Sequence, residues 1–362
     1  MNVRDSEILR GLLEEAGYAF TDEPENADVI IFNTCSVREH AEHRAISILA
    51  ALARKKGNRG RRITGLIGCV AQHKKEEIFK SIPKLDFICG PADLYSVPDI
   101  IARVRNGQKH IVNVRNERTA RSVEYVNPGH RGSKIHAFVN IMYGCDNFCS
   151  YCIVPYVRGK EVSRSSKDII KEVKDLAKRG IRHVTLLGQN VNSYNDRDCD
   201  FVKLLDLINN IGSIDKISFL TSHPKDASIR LFKAMRDLVK VDKHLHLPLQ
   251  SGSDRILLLM NRGYTAKGYR GLIKKYRELV PGGRITTDII VGYPSETEKD
   301  FRDTLELMKD IRFDGAYIFK YSPRPPARSS ELKDDVPIRV KKERNNILLN
   351  TQKEFYKEKA GA

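Results

Sequence analysis

The 362-residue chain has no tryptophan, and aromatic residues make up only 7% of it, so no stacking platform for nucleic-acid bases stands out from composition. It has no apolar run near the ~20 residues that a membrane-spanning helix needs. Its first residues, MNVRDSEILR, lack the apolar stretch of a secretory signal. These absences predict a cytoplasmic protein with no membrane partner. A framework of paired disulfides is disfavoured as well. The seven cysteines are an odd number, and three of them crowd into the stretch 145–152, too close to form separate bridges. Reduced, metal-binding thiols are the better reading.

What the chain does have is positive charge: 63 Lys and Arg against 46 Asp and Glu, a net +17, whose field favours an anionic partner. The densest basic run is ARKKGNRGRR at 53–62, and Arg103, Arg105, Lys109, Arg115, Arg118 and Arg121 form a looser one. Either run alone is ordinarily solvated surface; together with the global excess they favour nucleic acid. The length suits two or three domains, with a core that needs no covalent staples.

From residue 5 to about 105 amphipathic helices alternate with short apolar strands, an α/β pattern. Helices are expected over 5–16, 37–56, 74–81 and 94–105, and strands over 27–33, 62–68 and 85–89. The polar stretch 107–133, with Pro128, Gly129 and Gly132, reads as a strand-poor linker. From His136 the alternation restarts as strand-plus-helix units, with strands over 135–143, 183–188, 216–220, 244–249, 284–292 and 315–321. Helices fall near 165–179, 200–210, 226–239, 253–280 in two pieces, and 296–311. Parallel strands joined by right-handed crossovers curl into an open, partial barrel whose ligands lie at the carboxyl ends of its strands. The expected fold class is α/β. An N-terminal α/β domain with a parallel sheet (1–122) is followed by a linker (123–134), a partial (β/α)6 barrel (135–330) and a charged helical tail (331–362).

The segment MYGCDNFCSYC places Cys145, Cys149 and Cys152 in CxxxCxxC spacing just past the first barrel strand. A loop of that length can aim three thiolates at one iron-sulfur cluster, leaving one iron free for another ligand. Zinc competes, but a structural zinc site closes four ligands in familiar pair spacings, and no fourth Cys or His lies nearby in the sequence.

This triplet at the end of the first strand of a partial barrel resembles the radical S-adenosylmethionine (SAM) superfamily. The resemblance implies a 4Fe-4S cluster whose free iron holds SAM, and reductive cleavage of SAM to a 5'-deoxyadenosyl radical that abstracts hydrogen. Tyr151 matches the aromatic position near the SAM adenine; ordinary packing accounts for it equally well.

Further stretches are similar to the MiaB-type tRNA methylthiotransferases over nearly the whole chain. They include NTCSVREHAEHRA (33–45), GCVAQ (68–72), CIVPYVRGKEVSR (152–164), LLGQNVNSY (186–194), TSHPKD (221–226), HLHLPLQSGSDRIL (244–257), MNRGYT (260–265), DIIVGYPSETEKDF (288–301) and FKYSPRP (319–325). The family resemblance implies an enzyme that adds a methylthio group to carbon 2 of N(6)-isopentenyladenosine at tRNA position 37. One SAM is the methyl donor and a second is the radical source. The tRNA anticodon loop is the implied partner, with an electron donor such as flavodoxin or ferredoxin; unstacked anticodon bases suit the basic charge. Sister enzymes acting on threonylcarbamoyl adenosine, or a non-catalytic iron-sulfur, SAM- and tRNA-binding fragment, are the alternatives.

By the same resemblance Gly188, Gln189 and Asn190 meet the methionine part of SAM, while Gln250, Ser251 and Gly292 meet its ribose and adenine. Turn chemistry alone also places Gly, Asn and Ser at strand ends. No catalytic residue is assigned. Arg158 has three open roles: a salt bridge, an RNA contact or a SAM contact. His244 and His246 share one strand face, most simply as hydrogen-bonded core histidines.

Cys35 and Cys69 each follow a strand and are expected at one sheet edge, where the family implies two of the three ligands of an auxiliary 4Fe-4S cluster. The third belongs to a strand ending in YGCQMN, of which this chain has only Met1 and Asn2. A mis-set start or a fragment is expected, as is the absence of a C-terminal TRAM domain. Cys89 is either a substitute ligand or, more simply, a small buried hydrophobe. Cys199 reads as a loop bystander. Lys216 and Ser218 stand where the family has arginines, and PRPPARSS lacks the family's Gly-Thr.

Overall fold

The structure, a computed structural model, describes residues 1–36, 39–54, 62–115 and 130–360. Most of the basic run at 53–62, together with Arg118, Arg121 and most of the expected linker, lies outside the described residues. The chain divides into two compact units. The first comprises 1–133, 143–145 and 153–162; the second comprises 134–142, 146–152 and 163–362.

The first unit holds α1 (Asn2–Glu15), β1 (Val29–Thr34), α2 (Glu39–Arg54), β2 (Ile63–Gly68), α3 (Cys69–Lys74), α4 (Ile78–Ser81), β3 (Phe87–Cys89), α5 (Val97–Arg105), β4 (Ile111–Asn113) and α6 (Val154–Arg158). Its sheet runs β1-β2-β3-β4, all parallel. Every residue of β2 and β3 is buried, yet the period-two alternation of a strand still sorts them. Ile63, Ile67, Phe87 and Cys89 pack with Leu9, Leu13 and Ile101 on one face. Leu66 and Ile88 pack with Leu49, Val70 and Ile82 on the other. Strand β4 corrects the reading of 107–133 as strand-free. Its three residues are too few to stand out beside Gln108, Lys109 and His110, but Ile111 is buried and pairs in register with Phe87. A groove of about 1250 Å³ runs along β1, lined in part by Leu9, Leu13, Tyr18, Ile31, Ile48 and Leu52; none of the candidate ligands lines it.

The second unit contains all six expected barrel strands: β5 (His136–Asn140), β6 (His183–Leu187), β7 (Lys216–Phe219), β8 (His244–His246), β9 (Arg284–Val291) and β10 (Gly315–Lys320). They form two parallel arrays, β7-β6-β5 and β8-β9-β10. The free edge of β7 is continued by the residues leading into β8: Ile217 N–H donates to the Lys240 carbonyl (2.7 Å), and Asp242 N–H donates to the Ile217 carbonyl (2.8 Å). One curved succession of six strands results, as a partial barrel requires. Helices α7 (Ser166–Lys178), α8 (Phe201–Asn209), α9 (Ile229–Asp237), α10 (Asp254–Leu259), α11 (Ala266–Leu279), α12 (Glu298–Ile311) and α13 (Ile338–Ala360) accompany them.

The strands alternate in character. Ala137, Val139, Val184, Leu186, Ile217 and Leu245 join the helices in a single large core. The opposite face is more polar, though Phe138 and Ile290 also lie on it; there the hydroxyl of Thr286 pairs with both His244 Nε2 (2.9 Å) and His246 Nδ1 (3.0 Å). The two histidines are hydrogen-bonded as expected, but they are half-buried on the face opposite the core and not within it. Cys199, read as a loop bystander, is buried in the same core. Helix α13 is bound into this unit, with Leu348 and Phe355 in the core and Gln352 Nε2 donating to the Phe313 carbonyl (3.0 Å).

Candidate active site

The CxxxCxxC loop follows β5 closely. Gly144 enters it with φ +69°, and a Cβ there would stand 1.9 Å from the Lys160 carbonyl oxygen, so only glycine fits. Cys145 N–H donates to the Gly159 carbonyl (3.2 Å), and Cys152 N–H to the Cys149 carbonyl (2.9 Å). Cys149 is buried, whereas Cys145 and Cys152 are partly exposed. The division between units falls inside this loop, Cys145 grouping with the first unit and the other two with the second. Among the described residues, no three Cys, His, Asp or Glu side chains converge closely enough to hold a metal ion; the thiols are presented on the loop without a closed cage.

Arg262 reaches the loop from the turn between α10 and α11. Its Nη1 donates to Cys149 Sγ (3.2 Å), its Nη2 to the Pro248 carbonyl (2.9 Å) and its Nε to Tyr264 Oη (2.9 Å). Tyr151 lies beside it and packs against Ile256, Met260, Tyr293 and Tyr321. Burial, opposed by the Arg262 charge, holds the Tyr151 phenol well above its ordinary range, so it stays neutral.

At the carboxyl ends of the strands several buried polar atoms have no hydrogen-bond partner among the described residues: Asn190 Oδ1, Ser222 Oγ, His223 Nε2 and Gln250 Oε1. Asn190 is anchored by its other end, Nδ2 donating to Asp226 (2.7 Å). His223 Nδ1 accepts from Lys225 N–H (3.1 Å), which leaves the proton of the neutral ring on Nε2. Burial, reinforced by Arg262 and Lys225, lowers its pKa to about 2, so it remains a neutral donor. Thr221 and Gln250 hold left-handed backbone, φ +69° at each, as do Phe148 and Asn261 at the loop. Strain held by non-glycine residues often collects at working sites.

The other expected SAM contacts are spent internally. The Gly188 carbonyl accepts from Thr221 Oγ1 (2.7 Å), Ser251 Oγ lies against Thr304 and the Ser253 amide, and Gly292 N–H donates to Glu296 (2.8 Å). Gln189 is partly buried at the end of β6.

In the first unit the register pairs Thr34 with Gly68, so the residues that follow them, Cys35 and Cys69, start from adjacent positions at one sheet edge. Cys35 is exposed and Cys69 buried. Arg158, whose role the sequence left open, lies at Cys69: Nε donates to its sulfur (3.1 Å), Nη1 pairs with Asp5 (2.9 Å) and Nη2 donates to Asn2 (2.7 Å). Cys89 closes β3 within the apolar core, its thiol donating to the Gly90 carbonyl. Burial, with Asp93 adding to it, pushes that thiol far up, as the simpler reading of a buried hydrophobe requires.

The Radical SAM superfamily profile matches residues 139–308, and that of Uncharacterized protein family UPF0004 matches residues 1–90. The chain is 47% identical to a tRNA-2-methylthio-N(6)-dimethylallyladenosine synthase of Thermoanaerobacter sp. (strain X514), over 99% of this chain and 77% of that protein. A protein of the same name from Caldicellulosiruptor saccharolyticus is also 47% identical, over 98% and 76%. The chain belongs to the MiaB-type radical SAM methylthiotransferases. A solved radical SAM methyltransferase, TsrM from Kitasatospora setae with cobalamin and a [4Fe-4S] cluster bound, shares the fold at TM-score 0.68 and 12% identity, over 90% of this chain and 74% of that one.

A radical SAM methylthiotransferase uses a 4Fe-4S cluster and SAM, and the residues present fit both. Three thiols on one loop suit the cluster, with a cation held at Cys149. The unpartnered atoms of Asn190, Ser222, His223 and Gln250 suit the amino, carboxylate and hydroxyl groups of SAM. Ser222, His223 and Arg262 fall inside family-like stretches, TSHPKD and MNRGYT, to which sequence reasoning gave no role. The signal available for Arg262 was a basic residue in a glycine turn with no acidic neighbour. Of the other cysteines with an expected ligand role, Cys35 and Cys69 follow paired positions of β1 and β2, whereas Cys89 belongs to the core.

Proposed function

We propose that this methylthiotransferase adds a methylthio group to carbon 2 of N(6)-isopentenyladenosine at position 37 of tRNA, with one SAM as methyl donor and a second as radical source. The observation that carries the reading is the CxxxCxxC loop at the carboxyl end of the first of six parallel barrel strands, with Cys149 held by a buried guanidinium. Cys145, Cys149 and Cys152 hold the SAM cluster, and Asn190, Gln250 and His223 contact SAM. Gln189, Tyr151 and the backbone of Gly188 and Gly292 lie beside the proposed SAM contacts, and Ser251, bonded to Thr304 and the Ser253 amide, supports them. When reduced, the cluster supplies one electron for the cleavage of SAM. The protein's own part is to fix the loop, keep Tyr151 and His223 neutral, and exclude water.

Cys35 and Cys69 serve the auxiliary cluster. We assign an N-terminal methylthiotransferase domain to 1–122, a linker to 123–134, the barrel to 135–330 and a tail to 331–362. The protein works in the cytoplasm with a flavodoxin or ferredoxin as electron donor. The net charge of +17 supports tRNA as the anionic partner.

Mass spectrometry of tRNA nucleosides tests the substrate. A strain lacking the gene is expected to accumulate N(6)-isopentenyladenosine, and re-supplying the chain to restore the methylthio product. Methylthio gain on threonylcarbamoyl adenosine instead, or on neither nucleoside, would overturn the assignment.

A further inference from the structure

The stretch MNRGYT, with the residue before it, wraps the cluster loop. The Met260 carbonyl accepts from Ser150 N–H (3.0 Å), and the preceding Leu259 carbonyl accepts from Ser150 Oγ (2.8 Å). Asn261, in left-handed backbone, donates from Nδ2 to the carbonyls of Asn147 (3.2 Å) and Phe148 (3.1 Å). Arg262 then donates to Cys149 Sγ. Four consecutive residues of one turn thus fasten four consecutive residues of the loop.

Arg262 differs from the other buried arginines of the second unit. Arg164 and Arg344 are paired with the carboxylates of Glu172 and Glu296. Arg262 is 4% exposed and makes no carboxylate pair among the described residues; its neighbours are a carbonyl, a phenol and a sulfur. A buried cation needs a counter-charge, and of its three acceptors the Cys149 sulfur is the one at which a bound cluster would supply it. The planar fork of the guanidinium sends a separate N–H to each of the three acceptors, a geometry that an ammonium cannot reproduce.

We propose that Arg262 is a positioning residue for the cluster loop, its guanidinium fixing the Cys149 sulfur and supplying a permanent positive charge that raises the reduction potential of the cluster held there. Reduction adds one electron, and so one negative charge, beside that cation; the electron comes from a single-electron donor protein. A fixed positive charge and an N–H···S hydrogen bond both favour the more negative state. The inference rests on the proposed ligand role of the cysteine triplet.

The test is a redox titration of the reconstituted full chain followed by electron paramagnetic resonance, tracking the signal that changes shape when SAM is added. R262Q is expected to shift the midpoint of that signal to more negative potential, and R262K to shift it in the same direction by less. An unchanged midpoint in R262K, or in an R262Q protein that retains wild-type iron, overturns the inference. Loss of the signal from both variants, with circular dichroism unchanged, supports the positioning role. Absence of a SAM-sensitive signal from the wild-type chain would instead overturn the ligand assignment of the triplet itself.

Discussion

Arg158 and Asp5 form an ion pair in which neither side chain is more than 3% exposed. Removing one partner from such a pair strands a charge in a poorly solvated place, at a cost of about 3–5 kcal/mol. Arg158→Met is expected to destabilise the first unit by roughly that amount, measured as a lowered midpoint of urea unfolding. The sequence held three roles for Arg158 open because its partners, Asn2, Asp5 and Cys69, lie far away along the chain and only packing joins them. No local signal marks Gly144, because the approach of the Lys160 carbonyl that forbids any side chain there comes from the returning segment. Gly144→Ala is therefore expected to lower iron retention by the triplet, read as iron per chain after anaerobic reconstitution. The cysteines themselves were legible, because metal-ligand spacing is local. The unpartnered atoms of Ser222 and His223 were not, because burial decides which strand-end polar group stays unsatisfied.

The barrel strands could be read from the sequence as runs of apolar and β-branched residues between turn residues, and all six fall within the expected ranges. Strand β4 was missed because three residues carry too little periodicity to compete with polar flanks. Helix α12 shows how an element's start can depend on a side chain from elsewhere. Thr297 and Asp300 form a capping box, and Asp300 also accepts from Ser253 Oγ (2.6 Å) and Arg255 Nη2 (2.5 Å). Asp300→Ala should cost about 2 kcal/mol through loss of the cap and of the charge-assisted hydrogen bonds, measured by thermal or urea unfolding. Burial alone would raise the Asp300 pKa, but the hydrogen bonds from Arg255, Ser253 and Thr297 outweigh it and hold the carboxyl well below the usual range. The folded state thus binds this proton less readily than the unfolded one. Its contribution is complete above the unfolded carboxylate pKa of about 4 and is lost as pH falls toward the folded value. Wild-type stability should accordingly fall more steeply in acid than that of Asp300→Ala.

At the scale of the whole molecule, two features dominate: the charge and the chemistry of the loop. On α7, Lys167, Lys171, Lys174 and Lys178 recur at helical spacing and are all exposed, one local expression of the +17 net charge. Binding to tRNA through phosphates releases counterions, so affinity should drop by about a thousandfold between roughly 50 and 200 mM salt if about six phosphates are engaged. A flat salt dependence in filter binding would contradict an electrostatic partner. No helix among the described residues is long and apolar enough to cross a membrane. Whether the cysteine triplet holds the cluster that cleaves SAM is decided by assaying 5'-deoxyadenosine and iron together in wild-type and Cys149→Ala chains after anaerobic reconstitution. The variant is expected to lose about four irons per chain and to release no 5'-deoxyadenosine. Wild-type iron content and continued 5'-deoxyadenosine release from Cys149→Ala would contradict that role for the triplet.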